Sequence, residues 1–503
     1  MGDLISEHFN HPRNKGEISG ADGVGEAGAA DCGARIRVYI SFDRGRIGQA
    51  RFQATGSSAA IAAGSLLTEM ITGLPWKKAA AISTDRIVLV LGEDRGQKEG
   101  KPADGGKAGA RNPFVAIAAG FAIEALHAAI EDSLRRGSFP GVSVVDNDAV
   151  MVAMSGGVDS SVACLMEKNA GHDVIGITMR LWSDPDCAGE SVETCCSPRA
   201  IRDARSVCHS LGVPHLTVDY SEIFNQIVVA DFIEEYIAGR TPNPCTCCNG
   251  RFRFPELQIL AARLGAARVA TGHYARIEAG DEGLLLARGL DSSKDQSYML
   301  WAIEPSLLER IDFPLGGIKK EETRSLAREA GLLVHDRPES QEVCFIPDND
   351  YRRFLRRYAK ERPVDGEIVD CEGTHLGAHA GYIDYTVGQR HGLGVSAPQP
   401  MYVLRTIPQT NQVVIGSHGD LAVRLLTLTR MNSFITPAQL AQLKPMIQVR
   451  YNSTPVSGKI IDHDSSTWSL KLDKPVYGVA PGQSAVIYDG DILIGGGVID
   501  GTS

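Results

Sequence analysis

From residue 149 the chain alternates short apolar runs with helical patterns: "AVMVAM", "VDSSVACLMEKNA", "DVIGITMRLW", "PRAIRDARSVCHSLG", "PHLTVDY" and "SEIFNQIVVADFIEEYIAG" follow in that order. Parallel strands cannot be joined by a tight hairpin. Each pair needs a crossover, and helical crossovers are right-handed. The alternation therefore predicts an α/β domain with helices on both faces of a parallel sheet. Its first strand–helix turn reads "MSGGVDSS" at 154–161. Gly156 and Gly157 let the backbone approach an anion closely, and the unpaired amides at the helix start favour negative charge. Ser155, Ser160 and Ser161 add hydroxyl donors. No Walker lysine follows, so this is not the usual P-loop.

A chain of 503 residues is too long for one core, and about three or four domains are expected. Residues 1–134 form a small α+β unit, with the strand pattern "RIRVYISF" and the helical patterns "SSAAIAAGSLLTEMIT" and "FVAIAAGFAIEALHAAIEDSL". Within it, 93–112 is glycine- and charge-rich and reads as a flexible loop. Residues 135–148 read as a linker, 149–347 as the α/β domain, 348–425 as a central domain and 426–503 as a C-terminal barrel. After about residue 365 short strands alternate with turns, which predicts a β-barrel or sandwich. "LIGGGVID" resembles a nucleotide glycine loop, but no helix can follow Gly497, and it reads as a barrel turn. The N-terminus lacks the apolar core of a signal peptide and no run of about 18 apolar residues occurs, so a cytoplasmic protein with no membrane contact is expected.

The net charge of −10 argues against broad coating of nucleic acid and leaves room for a local basic patch. "YRRFLRRYAKER" supplies one. Arg352, Arg353, Arg356, Arg357 and Lys360 share a helical face, with Phe354, Leu355 and Tyr358 turned inward; such a charge run is usually a solvated face, and in an enzyme acting on RNA it is the expected backbone contact. Of eleven cysteines, seven lie between Cys187 and Cys248. "TPNPCTCCNGRFRF" places Cys245, Cys247 and Cys248 beside Arg251 and Arg253. A metal or iron–sulfur site, a reactive sulfur relay and incidental buried thiols all fit that spacing. Structural zinc lacks a second CxxC or HxxxH. Cys164 sits in an apolar helical stripe and reads as core packing, and Cys195 and Cys196 read as loop residues.

"SGGVDSS" resembles the PP-loop of the ATP pyrophosphatases. With "CCSPRAIRDARSVCHSLGVPH", "GRTPNPCTCCNGRFRF", "ATGHYAR", "KDQSYML", "SQEVCFI" and "YTVGQRHGLGV" in order, about 350 residues resemble the tRNA-specific 2-thiouridylases. The resemblance implies that ATP, with Mg2+, adenylates the C2 oxygen of a wobble uridine, and that sulfur carried as a cysteine persulfide then replaces it. It places ATP at Ala153, Met154, Ser155, Gly156, Gly157, Val158, Asp159, Ser160 and Ser161, with Met179 and Gly272. Cys248 matches the nucleophile and Cys344 the persulfide-bearing cysteine, and a disulfide between them would release product. Asn243, Pro244 and Cys245 match the segment at the target base; Lys294, Asp295, Gln296, Arg450 and Tyr451 match tRNA contacts. Arg251 and Arg253 are placed to hold substrate phosphate or to lower a thiol's pKa. Cys245 stands where some members carry aspartate, so Cys245, Cys248 and Cys344 also make a ligand set for a 4Fe–4S cluster with one open iron. The persulfide and cluster mechanisms call on the same cysteines. The implied partners are a tRNA with a wobble uridine and a cysteine desulfurase or sulfur-relay protein. Two alternatives remain at this point: a PP-loop synthetase acting on a small molecule, and an iron–sulfur delivery protein.

Residues 1–134 resemble the NifU/IscU iron–sulfur scaffolds through "HFNHPRNKGEI", "DCGARIRVYI" and "ARFQATGSSAAIAAGSLLTEMITG". The scaffold's three cysteines and one aspartate reduce to Cys32. Ala34, Ser57 and Val115 occupy the other positions, and one thiolate cannot hold a cluster that needs four ligands. A degenerate domain that docks a sulfur or cluster donor, or relays sulfur through Cys32, is the expectation.

Overall fold

The computed structural model describes residues 4–29, 33–92, 113–140, 146–182, 184, 197–337, 343–359, 364–440, 443, 445–464 and 466–503. Cys32, Cys187, Cys195, Cys196, Lys360 and the 93–112 loop lie outside them.

The first unit is a three-stranded antiparallel sheet, β1 (Gly23–Ala29), β2 (Ala34–Asp43) and β3 (Arg46–Thr55), with helices α1 (Leu4–Asn10), α2 (Ser58–Ile71), α3 (Trp76–Ala80), α4 (Thr84–Gly92) and α5 (Pro113–Arg136). Strand β2 alternates in its first half: Ala34, Ile36 and Val38 are buried while Arg35 and Arg37 face out, and Tyr39 and Ile40 are both buried. The three positions matched to scaffold ligands serve the fold here. Ala34 and Val115 are buried, and Ser57 caps α2, accepting from the Ala60 amide at 3.3 Å. Helix α5 is the one described helix long and apolar enough to cross a membrane. Here it lays Ala118, Ala122, Leu126 and Ile130 into the core of this unit.

The expected α/β domain is present. Strands β4 (Asp146–Ala153), β5 (Asp173–Arg180), β6 (His215–Asp219), β7 (Ala266–Ala270) and β10 (Ile311–Asp312) form a wholly parallel sheet in the order β10-β7-β4-β5-β6. Both faces are covered, so β4 is apolar from Ala149 to Ala153: Val150 and Val152 face one core, Ala149 and Met151 the other. The helices are α6 (Val158–Asn169), α7 (Pro198–Ser210), α8 (Ser221–Phe224), α9 (Ala230–Ile237), α10 (Pro244–Cys247), α11 (Phe254–Leu264) and α12 (Lys320–Glu329). Two π-helical turns, Asn225–Val229 and Cys248–Arg253, join α8 to α9 and α10 to α11. The chain builds β4, β5 and β6 outward in one direction and then returns to the other side of β4 for β7. That reversal opens a crevice between β4 and β7 at the carboxyl ends of the strands, where such sheets bind ligands.

Helix α13 (Tyr351–Tyr358) leads into the sheet β12-β11-β14-β13, made of β11 (Gly366–Val369), β12 (His375–His379), β13 (Tyr402–Ile407) and β14 (Gln412–Gly416). Strands β15 (Ala422–Ser433), β16 (Met446–Gln448), β17 (Val456–His463), β18 (Trp468–Tyr477), β19 (Ser484–Asp489) and β20 (Ile492–Thr502) then close into a barrel through a β15–β20 pairing, with the short helix α14 (Pro437–Leu440) between β15 and β16. The hairpin of β8 (Ala275–Gly280) and β9 (Gly283–Arg288), which precedes β10 in the chain, joins this barrel through β9 and β20. One expectation is corrected. "LIGGGVID" lies inside β20 and is not a turn. Its glycines permit close approach: a Cβ at Gly496 would lie 2.8 Å from the Trp301 ring, and one at Gly495 would lie 2.5 Å from the Asn432 carbonyl oxygen.

Candidate active site

The loop after β4 is anchored from below. Met154 donates its amide to Ile177 O at 2.7 Å, and the Thr178 hydroxyl donates to Met154 O at 2.9 Å. Gly156 has φ +75°, and a Cβ there would meet Ala200 O at 2.3 Å, so only glycine lets the loop lie on the start of α7. Gly157 caps α6 without a side chain, leaving the first amides of the helix to a ligand. Ser160 and Ser161 turn their hydroxyls onto Gly157 O at 3.2 and 2.8 Å, and Ser160 Oγ accepts from the Ser155 amide at 3.1 Å. Two of the three expected hydroxyl donors thus stiffen the loop itself. Gly272, after β7, passes so close to α6 that a Cβ would lie 2.7 Å from Ser160 N. The expected nucleotide residues at 153–161 and 272 therefore meet across the crevice. Met179 is half-buried near the end of β5, in register with Val218 of β6.

Three residues outside the expected set complete this end. Lys320 donates to both oxygens of Asp159, at 2.7 and 2.8 Å, and the Tyr274 hydroxyl donates to Asp159 Oδ1 at 3.0 Å. Arg337 donates to Gly156 O and to Asp203 Oδ2, both at 2.8 Å. A lysine at the first position of a helix opposes the macrodipole, and that mismatch was the only signal of Lys320 in the sequence.

The thiol-bearing segment begins where Asn243 caps α10, accepting from the amides of Cys245 and Thr246 at 3.2 and 3.4 Å, with Pro244 at the first helical position. Cys245 is exposed. Cys248, at the first position of the π-turn, is buried in a core that includes Phe224, Phe252 and Phe345. Cys344, half-buried, packs on the same core beside Phe345. Helix α11 runs back to the start of β7, so the thiol end of α10 lies on the carboxyl side of the sheet, as the loop does. Burial and then Asp231 push the Cys247 thiol up to about 12, although Arg251 lies 3.9 Å from its sulfur. Arg251 is committed to Asp231 at 2.7 Å, and Arg253 donates to Asn249 Oδ1 at 3.1 Å. Arg251 pulls the Cys247 thiol the other way but is outweighed, and half-buried Cys247 is a neutral thiol. A cavity of about 280 Å3 beside Asn243 is lined by Thr246, Cys247, Arg251, Trp301 and Arg430, with neither Cys248 nor Cys344 on its walls.

The expected tRNA-contact segments come together at the hairpin–barrel seam, largely as framework. Asp295 pairs with Arg288 at 2.8 Å and accepts from the amides of Gly289 and Ser297; Gln296 accepts from the Tyr274 amide at 3.0 Å. Arg288 reaches Gln448 Oε1 at 2.9 Å, and Gln448 donates to the carbonyls of Arg450 and Tyr451. Arg450 donates to Tyr477 O at 3.0 Å, and the Tyr451 ring lies 6.1 Å from that of Tyr298. Lys294 is half-exposed beside them. On α13, Arg353 pairs with Asp184 and Asp348, Arg356 with Asp384, and Arg352 with the Asp384 carbonyl. Arg357 lies over its neighbour Tyr358 and faces solvent.

Residues 148–348 match the family model described as tRNA methyl transferase HUP domain, 2–112 the NifU-like N terminal domain, 352–417 the tRNA methyl transferase PRC-barrel domain and 423–499 the Aminomethyltransferase beta-barrel domain. The chain is 44% identical to a bifunctional NifU/MnmA protein of Rubrobacter xylanophilus, covering 99% of this chain and 98% of that one. It is 45% identical to tRNA-specific 2-thiouridylases of Thermoanaerobacter sp. (70% of this chain, 98% of the relative) and of Geobacter metallireducens (70% and 96%). The chain belongs to the tRNA-specific 2-thiouridylase family. Its form is the one that carries a NifU-like domain in front.

A thiouridylase site must hold a nucleotide and present thiols, and the residues fit those tasks unequally well with added metals. Among the described residues, no three His, Cys, Asp or Glu side chains gather as a metal-ligand set. Cys245 is exposed, Cys248 is buried and Cys344 is half-buried. Asp159 is occupied by Lys320 and Tyr274, so a Mg2+ would rely chiefly on phosphate oxygens for its ligands.

Proposed function

We propose that this thiouridylase binds ATP across the 153–161 loop and Gly272, adenylates the C2 oxygen of a wobble uridine in tRNA, and replaces it with sulfur carried on Cys344. The observation that carries this reading is the shared position of the phosphate loop and the thiol helix on the carboxyl side of one parallel sheet. A uridine carbonyl oxygen is a poor leaving group. Attack of that oxygen on the α-phosphorus of ATP expels pyrophosphate and gives an O-adenylate. The terminal sulfur of a Cys344 persulfide then adds at C2, and AMP leaves with the oxygen. Cys248, as thiolate, attacks the Cys344 sulfur; the S–S bond to the base breaks, the thiocarbonyl is released and a Cys248–Cys344 disulfide remains for an external dithiol to reduce. Asn243, Pro244 and Cys245 are proposed to face the target base, and Lys294, Arg450 and Tyr451 to meet the tRNA. A methyl transfer would use neither an adenylating loop nor a pair of thiols, so the "methyl transferase" wording of two family descriptions does not guide the assignment.

The front domain is proposed to dock a cysteine desulfurase or another sulfur donor. Two of its former ligand positions are core residues and a third is a helix cap, which leaves no set for cluster assembly. The test of the main reading is tRNA-dependent ATP–pyrophosphate exchange together with 2-thiouridine analysis. Cys248→Ser and Cys344→Ser should each retain exchange and lose thiolation by more than about a hundredfold. Wild-type levels of 2-thiouridine from either variant would reject the assignment. Exchange without tRNA would favour a small-molecule synthetase.

A further inference from the structure

The phosphate loop carries a carboxylate where a polyphosphate is expected. Asp159 is the second residue of α6, inside the turn whose amides would receive the phosphates, and its side chain is 31% exposed. An uncompensated carboxylate there would repel the ligand that the helix start attracts. Its charge is met from beneath. Lys320 bonds both of its oxygens, and the Tyr274 hydroxyl bonds one of them and Thr323 Oγ1 at 2.8 Å. The Lys320 side chain is only 9% exposed. It stands at the first position of α12, the helix end that disfavours a cation, and its own amide donates to Asp291 Oδ2 at 3.0 Å. An ammonium so placed is tolerable only with a carboxylate partner. Carboxylate and cation therefore fix one another, across 161 residues of sequence, at the mouth of the crevice.

We propose that Lys320 is a positioning residue for nucleotide binding: it neutralises and aims Asp159, so that the start of α6 presents a positive potential to the triphosphate. The proposal rests on the reading that the 153–161 loop holds ATP. A purely structural role for the pair, tying α6 to α12, predicts a loss of stability alone, and the two are separable.

The experiment uses the full chain without tRNA and measures binding of ATP in EDTA, so that no divalent ion bridges phosphate and carboxylate. Lys320→Met removes the charge and keeps most of the volume. It should weaken metal-free ATP by about tenfold or more, because a carboxylate without its cation then faces the phosphates. AMP, with one phosphate, should be weakened by a smaller factor. The double variant Asp159→Asn/Lys320→Met should recover ATP affinity to within about threefold of wild type, a non-additivity expected of groups in direct contact. Lys320→Arg keeps the charge and should stay within about threefold. A Lys320→Met protein with a lowered melting temperature and unchanged ATP affinity overturns the proposal, as does a double variant no better than Lys320→Met. Should Lys320→Met fail to fold, Lys320→Gln decides in its place: it is neutral yet can still donate to Asp159, it should weaken metal-free ATP by about tenfold, and an unchanged affinity in a folded Lys320→Gln protein overturns the idea. Failure of the wild-type chain to bind ATP at all would instead reject the reading of the loop.

Discussion

The parallel-sheet domain has a neighbour at each side, and the two joints are built from opposite materials. Toward the C-terminus the joint is a continuation of secondary structure. Strand β9 pairs with β20 through Leu286↔Leu493 and Ala287↔Ile492, Trp301 lies on Gly496, and Arg430 of the barrel pairs with Glu235 and Asp231 of α9. Toward the N-terminus the joint is a docking. Helix α5 lies along the edge strand β6, and Glu131 accepts from the Thr217 amide at 2.7 Å, satisfying one donor of an edge that would otherwise face water. Apolar contacts run through the same core, yet His127 of α5 meets His209 and His215 with Arg205 nearby. Of eight buried polar atoms without a hydrogen-bond partner among the described residues, five lie at this joint, on His127, Arg205, His209, His215 and Thr217. Such groups cost stability. The comparison teaches that the barrel is part of the catalytic fold and the front domain is an attachment. Relatives whose match spans 70% of this chain leave unmatched about as many residues as that domain and its linker contain.

The barrel joint should break hardest. Gly496→Leu would drive a side chain into the Trp301 ring, whose atoms lie 2.8 Å from a Cβ at that position. Overpacking of this kind costs about 3 kcal/mol or more where neither partner can move, so the midpoint of denaturant unfolding should fall and thiolation with it. The front joint should break more gently. A chain starting at Asp146 should fold and retain tRNA-dependent exchange, with a lower melting temperature. Thiolation driven by a cysteine desulfurase should fall by about tenfold or more, while thiolation driven by free sulfide should hold. Equal activity with both sulfur sources would remove the front domain from sulfur supply. A truncated chain that cannot fold would make the two joints equivalent.

Acid should distinguish the joints too. Burial first, and then Arg205, holds His127 and His215 well below their ordinary 6.5, and His209 is lowered to about 4 by burial and Arg205. These groups contribute stability above pH 6.5 that is lost as pH falls toward the docked values, because only separated or unfolded histidines take up protons. Glu131 runs the other way. Burial raises it from 4.5 to about 7, so its contribution is full below pH 4.5 and is lost as pH rises through 7. Arg180 of β5 and Asp219 of β6 also face Glu131, with opposite effects. Below about pH 6.5 the three histidines oppose docking as they take up protons on release while Glu131 favours it, and with three groups against one docking should weaken on acidification. The melting-temperature advantage of the full chain over the truncated one should therefore shrink from about pH 7.5 to about pH 5.5. An advantage that grows would mean that Glu131 dominates.

The parallel sheet and its phosphate loop were legible because their signals are local: apolar runs buried on two faces, a glycine that must approach α7, a helix start with open amides. What escaped was non-local. Arg251 sits beside thiols in sequence, but its partner Asp231 arrives from the preceding helix, and burial with Asp231 leaves Cys247 raised in spite of the guanidinium. Lys320 and Arg337 meet the loop from 161 and 181 residues away. The glycines of β20 carry the composition of a turn, and only Trp301 and Asn432 lying against them reveal a strand pressed by its neighbours. That the β8–β9 hairpin would belong to the barrel was equally hidden, since pairing partners are not written in either strand.

A third, ion-paired joint gives the smallest effects and sharpens the contrast. Helix α13 is tied to the sheet domain where Arg353 and Tyr358 both reach Asp184, whose side chain is fully buried, while Trp182 packs edge-on against Phe354 and Tyr358. Removing Arg353 takes the ion-pair partner from that carboxylate, while the Tyr358 hydroxyl still donates to it at 2.9 Å. Arg353→Ala should therefore cost about 1–2 kcal/mol of stability. Arg357 is exposed and lies over the Tyr358 ring. Arg357→Ala should leave stability within about 0.5 kcal/mol. If this face meets an RNA backbone, the loss of one phosphate contact should reduce the salt slope of tRNA binding by about one unit. Filter binding across a salt series, with denaturant melts of the same two proteins, reads both quantities. The sharp outcome is a crossed one: Arg353→Ala changes the melt, and Arg357→Ala changes the slope. A slope unmoved by Arg357→Ala would make α13 a structural strut whose outward arginine is only solvated, and would shift the tRNA surface to the seam at Lys294 and Arg450.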